Sequence, residues 1–261
     1  MTSKKALLLI DPQVDFHPSG SLAIPTASSD ASKLSSLLSL HPSPFTKLFI
    51  TLDSHHLYDI AHPGYWVDSL GNHPSPFTLI THSDVASGKW STSNPSDQAW
   101  GLSYTQSLST AGNFTLCIWP VHCLVGTVGH TVDATVLAGV NTWLGNNPGC
   151  EVRWVQKGLN RSTEMYSCMR AEVEIPGDPA TSFNEGLMEE LNEYEEIYVG
   201  GQARSHCVNF SVRDILPEFK GIVKVLKDGC SDVPGFEEEG KKFLEWVEDN
   251  GGEVVECGDV R

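Results

Sequence analysis

Six residue positions in this chain carry side chains that can do chemistry together: Asp11, the Asp53/His55 pair, His122, Lys157 and Cys207. Cys207 lies in GGQARSHCVNFSVRDI, which reads as a strand, a turn of small residues and the start of a helix. A cysteine in the first turn of a helix meets the positive end of the helix dipole, which favours the thiolate. Free N–H groups at the same place can hold a developing oxyanion. Asp11 directly follows an apolar run, KALLLI, and suits a general base. Lys157, closing WVQK, can hold Asp11 ionised or stabilise charge on a reacting carbonyl. Each has a plain alternative: a packed thiol, a helix cap, a surface lysine. Their weight comes from converging, since a nucleophile, a base and a cation must meet at one point.

A second group is TLDSHHLYDIAHPGYW together with WPVHC. Asp53 and His55 stand at i and i+2, on one side of an extended segment, whereas His56 points the other way. His122 is expected to approach from a neighbouring strand end and His62 from the loop. One Asp with two or three His is a ligand set for Zn²⁺, Fe²⁺ or Mn²⁺, and a solvated His-rich loop is the plain alternative.

The elements that must position these residues are legible as apolar runs at 5–10, 47–52, 115–119, 152–155, 196–200 and 222–227, with a weaker one at 253–256. Helical patterns lie between them at 30–40, 129–144, 184–194, 206–218 and 235–249. Strands alternating with helices predict βαβ units and a three-layer α/β/α sandwich on a mostly parallel sheet. In such a sheet ligands bind outside the carboxyl ends of the strands. Asp11, Asp53 with His55, His122, Lys157 and Cys207 all follow predicted strands. Residues 54–114, rich in His, Pro, Ser, Gly and aromatic side chains, and residues 158–183 break the rhythm. A loop that long is usually functional.

The chain has 261 residues, 40% of them hydrophobic, enough for one sizeable core, and nothing divides it; one domain over 1–261 is expected. The net charge of −16 disfavours nucleic acid and anionic membrane partners. No apolar stretch is long enough for a signal or a membrane span, so a cytoplasmic location is expected. Seven cysteines without a CxxC pair read as reduced thiols.

Five motifs in order, LLLIDPQVDF, TLDSH, WPVHC, VQKGLNRSTEMYS and GGQARSHCVNFSVRDI, resemble the nicotinamidase branch of the isochorismatase-like cysteine hydrolases. The resemblance covers most of the sheet and its functional edge. It implies a catalytic triad of Asp11, Lys157 and Cys207. It also implies a divalent metal, expected to be zinc, on Asp53, His55 and His122, with His62 near a further ligand position. Phe16 and Trp119 match aromatic positions that pack against a substrate ring. A cis peptide is implied between Gln202 and Ala203, with the N–H groups of Ala203 and Cys207 as oxyanion hole. The implied reaction is hydrolysis of nicotinamide to nicotinate and ammonia through a thioester on Cys207, with a small-molecule amide as partner and a homo-oligomer as a common state. His55 and His122 are 67 residues apart, longer than in compact relatives, so the insertion at about 63–114 can reshape, cover or bridge the pocket. A cysteine hydrolase of another small amide, ureide or N-carbamoyl compound stays open, as does an idle binding protein on the same fold.

Overall fold

The computed structural model describes residues 4–111 and 114–260. The first half of the chain runs β1 (Lys5–Ile10), α1 (Ala27–Leu38), β2 (Lys47–Asp53), β3 (Trp66–Val67), β4 (Leu79–Ile80), α2 (His82–Ala86), β5 (Ser91–Thr92), α3 (Gln98–Ala111) and β6 (Leu116–Cys117). The second half runs α4 (Ala134–Asn146), β7 (Val152–Lys157), α5 (Glu185–Leu191), β8 (Glu196–Gln202), α6 (Asn209–Ile215), β9 (Ile222–Ser231), α7 (Glu237–Asp249) and β10 (Glu253–Val255). Six strands form one parallel sheet in the order β10-β9-β8-β1-β2-β7.

Side chains alternate across the sheet with a period of two, so each strand feeds both faces. Leu7 and Leu9 of β1 meet Leu48 and Ile50 of β2 under α1 and α4, where Leu34, Val140 and Trp143 seal that face. Ala6, Leu8 and Ile10 turn the other way and join Phe49 and Val199 beneath α5, α6 and α7. Apolar residues on both faces are what a parallel sheet covered on two sides requires. The expected α/β/α sandwich is therefore present. Local chemistry sets the helix starts: the Asp133 carboxylate accepts from the N–H groups of Thr135 and Val136 to begin α4, and Asn184 accepts from Leu187 to begin α5.

Two expectations change. The run at 115–119 is not a strand of the main sheet, because β6 pairs antiparallel with β4 in a separate two-stranded piece. Its apolar residues are buried, which is what made it read as a central strand. The long segment after β2 is also not structureless; it holds α2, α3 and two small antiparallel pairs. Trp66 and Tyr104 from this segment are fully buried in the larger core cluster.

Gly201 sits where β8 slips register against β9 and has a positive φ of 112°. A Cβ there would lie 2.0 Å from the Ile10 carbonyl oxygen, so only glycine lets β8 pass the end of β1. Leu8→Ala, in the fully buried centre, should lower the unfolding free energy by about 2–5 kcal/mol in urea titration, whereas Leu70→Ala, at a residue 84% exposed, should change it by less than about 0.5 kcal/mol.

Candidate active site

The carboxyl ends of β1, β2, β7 and β8 deliver Asp11, Asp53, Lys157 and the turn that carries Cys207 to one buried point. Lys157 reaches across from the outermost of these strands. Its Nζ lies 3.0 Å from Asp11 Oδ2 and 2.9 Å from Asp53 Oδ1. It also donates to the Met165 carbonyl at 2.8 Å and stands 3.6 Å from Cys207 Sγ. Asp11 has a positive φ of 43°, fixed by Thr51: the Asp11 N–H donates to Thr51 Oγ1 at 2.9 Å, and that hydroxyl donates to Asp11 Oδ1 at 2.5 Å. Asp11 Oδ2 takes no well-directed hydrogen bond, although the lysine charge sits beside it.

Cys207 is not in the first turn of an α-helix. It occupies a π-helical turn, Arg204–Val208, that leads into α6. Gln202–Ala203 is a cis peptide, as the sequence resemblance implied. A lowered thiol pKa is not what this site provides: burial pushes the Cys207 thiol well above its ordinary value, and Lys157 only offsets part of that. Burial also raises Asp11, with Lys157 pulling the other way. A buried thiol beside a carboxyl of raised proton affinity favours transfer of the proton over a standing thiolate. Burial alone would lower Lys157, but Asp11 and Asp53 hold it well above its usual value and so charged.

Three histidines meet beside this group. Ligand-capable atoms of His55, His62 and His122 all lie within 4.8 Å of one another, and all three residues are buried. Asp53 Oδ2 lies 3.1 Å from His55 Nε2 and 3.4 Å from His122 Nε2. Each Nδ1 meets an oxygen: that of His55 meets Asp59 at 3.1 Å, that of His62 the His56 carbonyl at 3.1 Å and that of His122 the Pro120 carbonyl at 2.8 Å, while His122 Nδ1 also lies 3.2 Å from His62 Nε2 inside the cluster. Rings anchored through Nδ1 offer Nε2 inward, the arrangement of metal-binding histidines. Burial, with His55 and His122 nearby, lowers His62 to about 2, which keeps it neutral as a ligand must be. Burial would raise Asp53, yet His55 and Lys157 outweigh it and hold its carboxyl well below the usual range. His56 is exposed and outside the cluster. One carboxylate, Asp53, and three imidazoles converge here, and that donor set fits a divalent cation.

Phe16, Trp119, Ala203 and Cys207 line one small, tight cavity that also touches Asp53 and His122. The surface grooves near Arg161 and Arg170 are wider but bring no cysteine to their walls. The same cavity is also lined by Glu164, Tyr166 and His206, with Leu22 and Val233 as apolar wall. Glu164 and Tyr166 follow the lysine motif in sequence. His206 directly precedes the cysteine and is boxed edge-on by Trp119, Tyr166 and Phe236, at centroid distances of 5.1, 5.3 and 4.7 Å. Gln13, Thr51 and Asp59 were not legible as site residues. Gln13 is fully buried and clamps the backbone of Asp53, accepting from its N–H at 2.7 Å and donating to its carbonyl at 2.8 Å.

No protein-family model and no curated protein matches this chain. Solved structures do. The yeast nicotinamidase superposes with a TM-score of 0.68 at 21% identity, over 96% of this chain and 99% of that one. A structure from L. infantum in complex with nicotinate gives 0.62 at 18% identity, over 99% and 95%. The pyrazinamidase of Pyrococcus horikoshii in complex with zinc gives 0.56 at 19% identity, over 97% and 99%. At these identities the likeness establishes the fold.

Two outcomes are expected. Lys157→Ala leaves two buried carboxylates without their cation and should destabilise the protein by about 3–5 kcal/mol in denaturant titration. Burial lowers His206 from 6.5 to about 4. Between those values the unfolded chain binds a proton that the native state refuses, so stability falls as pH drops through this window. His206→Gln should flatten that part of the stability–pH curve.

Proposed function

We propose that this chain is a metal-dependent cysteine amidohydrolase that converts nicotinamide to nicotinate and ammonia. The observation that carries the reading is the meeting, in one buried site, of a cysteine, a carboxylate bridged to it by a lysine, and a cluster of three histidines with an aspartate. The solved structures of matching fold described above are a nicotinamidase, a complex with nicotinate and a pyrazinamidase in complex with zinc, which supports the same choice of substrate and metal.

In this reading the amide enters the cavity with its ring between Phe16 and Trp119. Asp53, His55, His62 and His122 would hold a divalent ion, zinc by preference, which would supply a Lewis-acid site for orienting the substrate ring. Asp11 takes the Cys207 proton, and Sγ attacks the amide carbon. The peptide N–H groups of Ala203 and Cys207 receive the oxyanion, while Lys157 keeps the two aspartates in place. Asp11 returns the proton to the departing ammonia, leaving a thioester. A water molecule, deprotonated by Asp11, then releases the acid.

Ammonia release from nicotinamide tests this. Cys207→Ala should lower the rate by more than about 10³-fold, with nothing recovered at saturating substrate. Thorough chelation should remove activity from the native protein, and added Zn²⁺ should restore it. Nicotinamide turnover that survives Cys207→Ala would refute the nucleophile. Full turnover after proven metal removal would refute the metal's role.

A further inference from the structure

Asp59 is fully buried, yet among the described residues no lysine or arginine pairs with it. A buried carboxylate costs several kcal/mol unless a positive centre compensates it. Its only charged contact is His55, whose Nδ1 lies 3.1 Å from Asp59 Oδ2 while its Nε2 lies 3.1 Å from Asp53 Oδ2. A carboxylate can only accept, so the Asp59 contact holds a proton on Nδ1 and leaves Nε2, which faces Asp53, as the nitrogen whose proton an ion would displace. The remaining atoms of Asp59 are committed as well. Oδ1 accepts from the Ala61 N–H at 3.1 Å, and the backbone carbonyl accepts from the His62 N–H at 2.9 Å. One residue thereby fixes the ring of His55 and the backbone that presents His62. The outer partners of His62 and His122 are main-chain carbonyls, which no substitution removes. Among the described residues Asp59 is the only carboxylate at an Nδ1 of the cluster; the other side-chain neighbour of an Nδ1 is His62, beside that of His122.

We propose that Asp59 is a positioning residue of the metal centre, setting the orientation and donor strength of His55 and through them the affinity for the ion. The proposal rests on the metal-centre reading above, but not on the identity of the amide. It also gives the DSHHLYD segment a second acidic residue with a function: Asp53 faces the ion, and Asp59 stands behind its ligand.

The test is zinc affinity of the full chain, measured by competition with a chromophoric chelator at fixed pH, alongside the visible spectrum of the Co²⁺-substituted protein. Asp59→Asn should weaken the Zn²⁺ Kd by about 10–100-fold and alter the Co²⁺ absorption bands. Asp59→Glu, which keeps the charge but moves it by one methylene, should fall between that variant and the native protein. A Kd for Asp59→Asn within about threefold of native, with an unchanged Co²⁺ spectrum, overturns the proposal. Should Asp59→Asn not fold, Asp59→Glu decides on the same two readouts, and a native Kd and spectrum again overturn it. Native protein that binds zinc but leaves nicotinamide intact would sink the substrate assignment and leave the Asp59 result standing. Native protein with no zinc affinity would sink both.

Discussion

The ammonium of Lys157 is the interaction on which the rest of the site depends. Among the described residues it is the only lysine or arginine paired with Asp11 and Asp53, and it meets both at once. At 3 Å and an effective dielectric near 20, each contact is worth on the order of 5 kcal/mol, comparable to the desolvation it has to offset. Together with His55 it holds Asp53 ionised, and at Asp11 it offsets part of the cost of burial. The geometry follows from strand order: β7 lies beyond β2, so only a side chain as long as lysine can span β2 and arrive beside Asp11 on β1.

The segment after β2 acts on the same residues from above. Trp100 of α3 donates to the Ser162 carbonyl at 2.7 Å, the Tyr104 hydroxyl receives the Glu164 N–H at 3.1 Å, and Arg161 pairs with Asp97 at 3.2 Å. These bonds fasten the segment to the loop that leaves Lys157, the same loop whose Met165 carbonyl accepts from the lysine. The segment is thus part of the wall around the ion pairs. Large aromatic residues suit that work because they exclude solvent over a wide area with little conformational entropy to lose.

Much of this was legible in the sequence, for identifiable reasons. Buried parallel strands leave uninterrupted apolar runs, and a charged residue directly after such a run is conspicuous, as with Asp11 and Lys157. The Asp53/His55 spacing shows its common side because an extended chain repeats every two residues. The run around Leu116 misled because burial by an insertion and burial in a central sheet look alike in composition. Thr51, Gln13 and Asp59 were silent because their roles lie in hydrogen bonds made across the fold or around a turn, and their residue types are ordinary where they stand. The rise in thiol pKa was unreadable for a similar reason: a helix start is a local feature, while depth of burial belongs to the whole molecule.

The interleaving of the site across the sheet has one more consequence. Its chemical groups come from positions 11, 53, 122, 157 and 207, so no contiguous fragment shorter than residues 11–157 holds the lysine and both of its aspartates, and that fragment still lacks the cysteine. A nick or local melting anywhere between β1 and the turn after β8 takes apart the charge arrangement along with the scaffold. The integrity of the site in such a molecule is a census of intact copies: a partly unfolded population contributes no weakened site, only fewer whole ones.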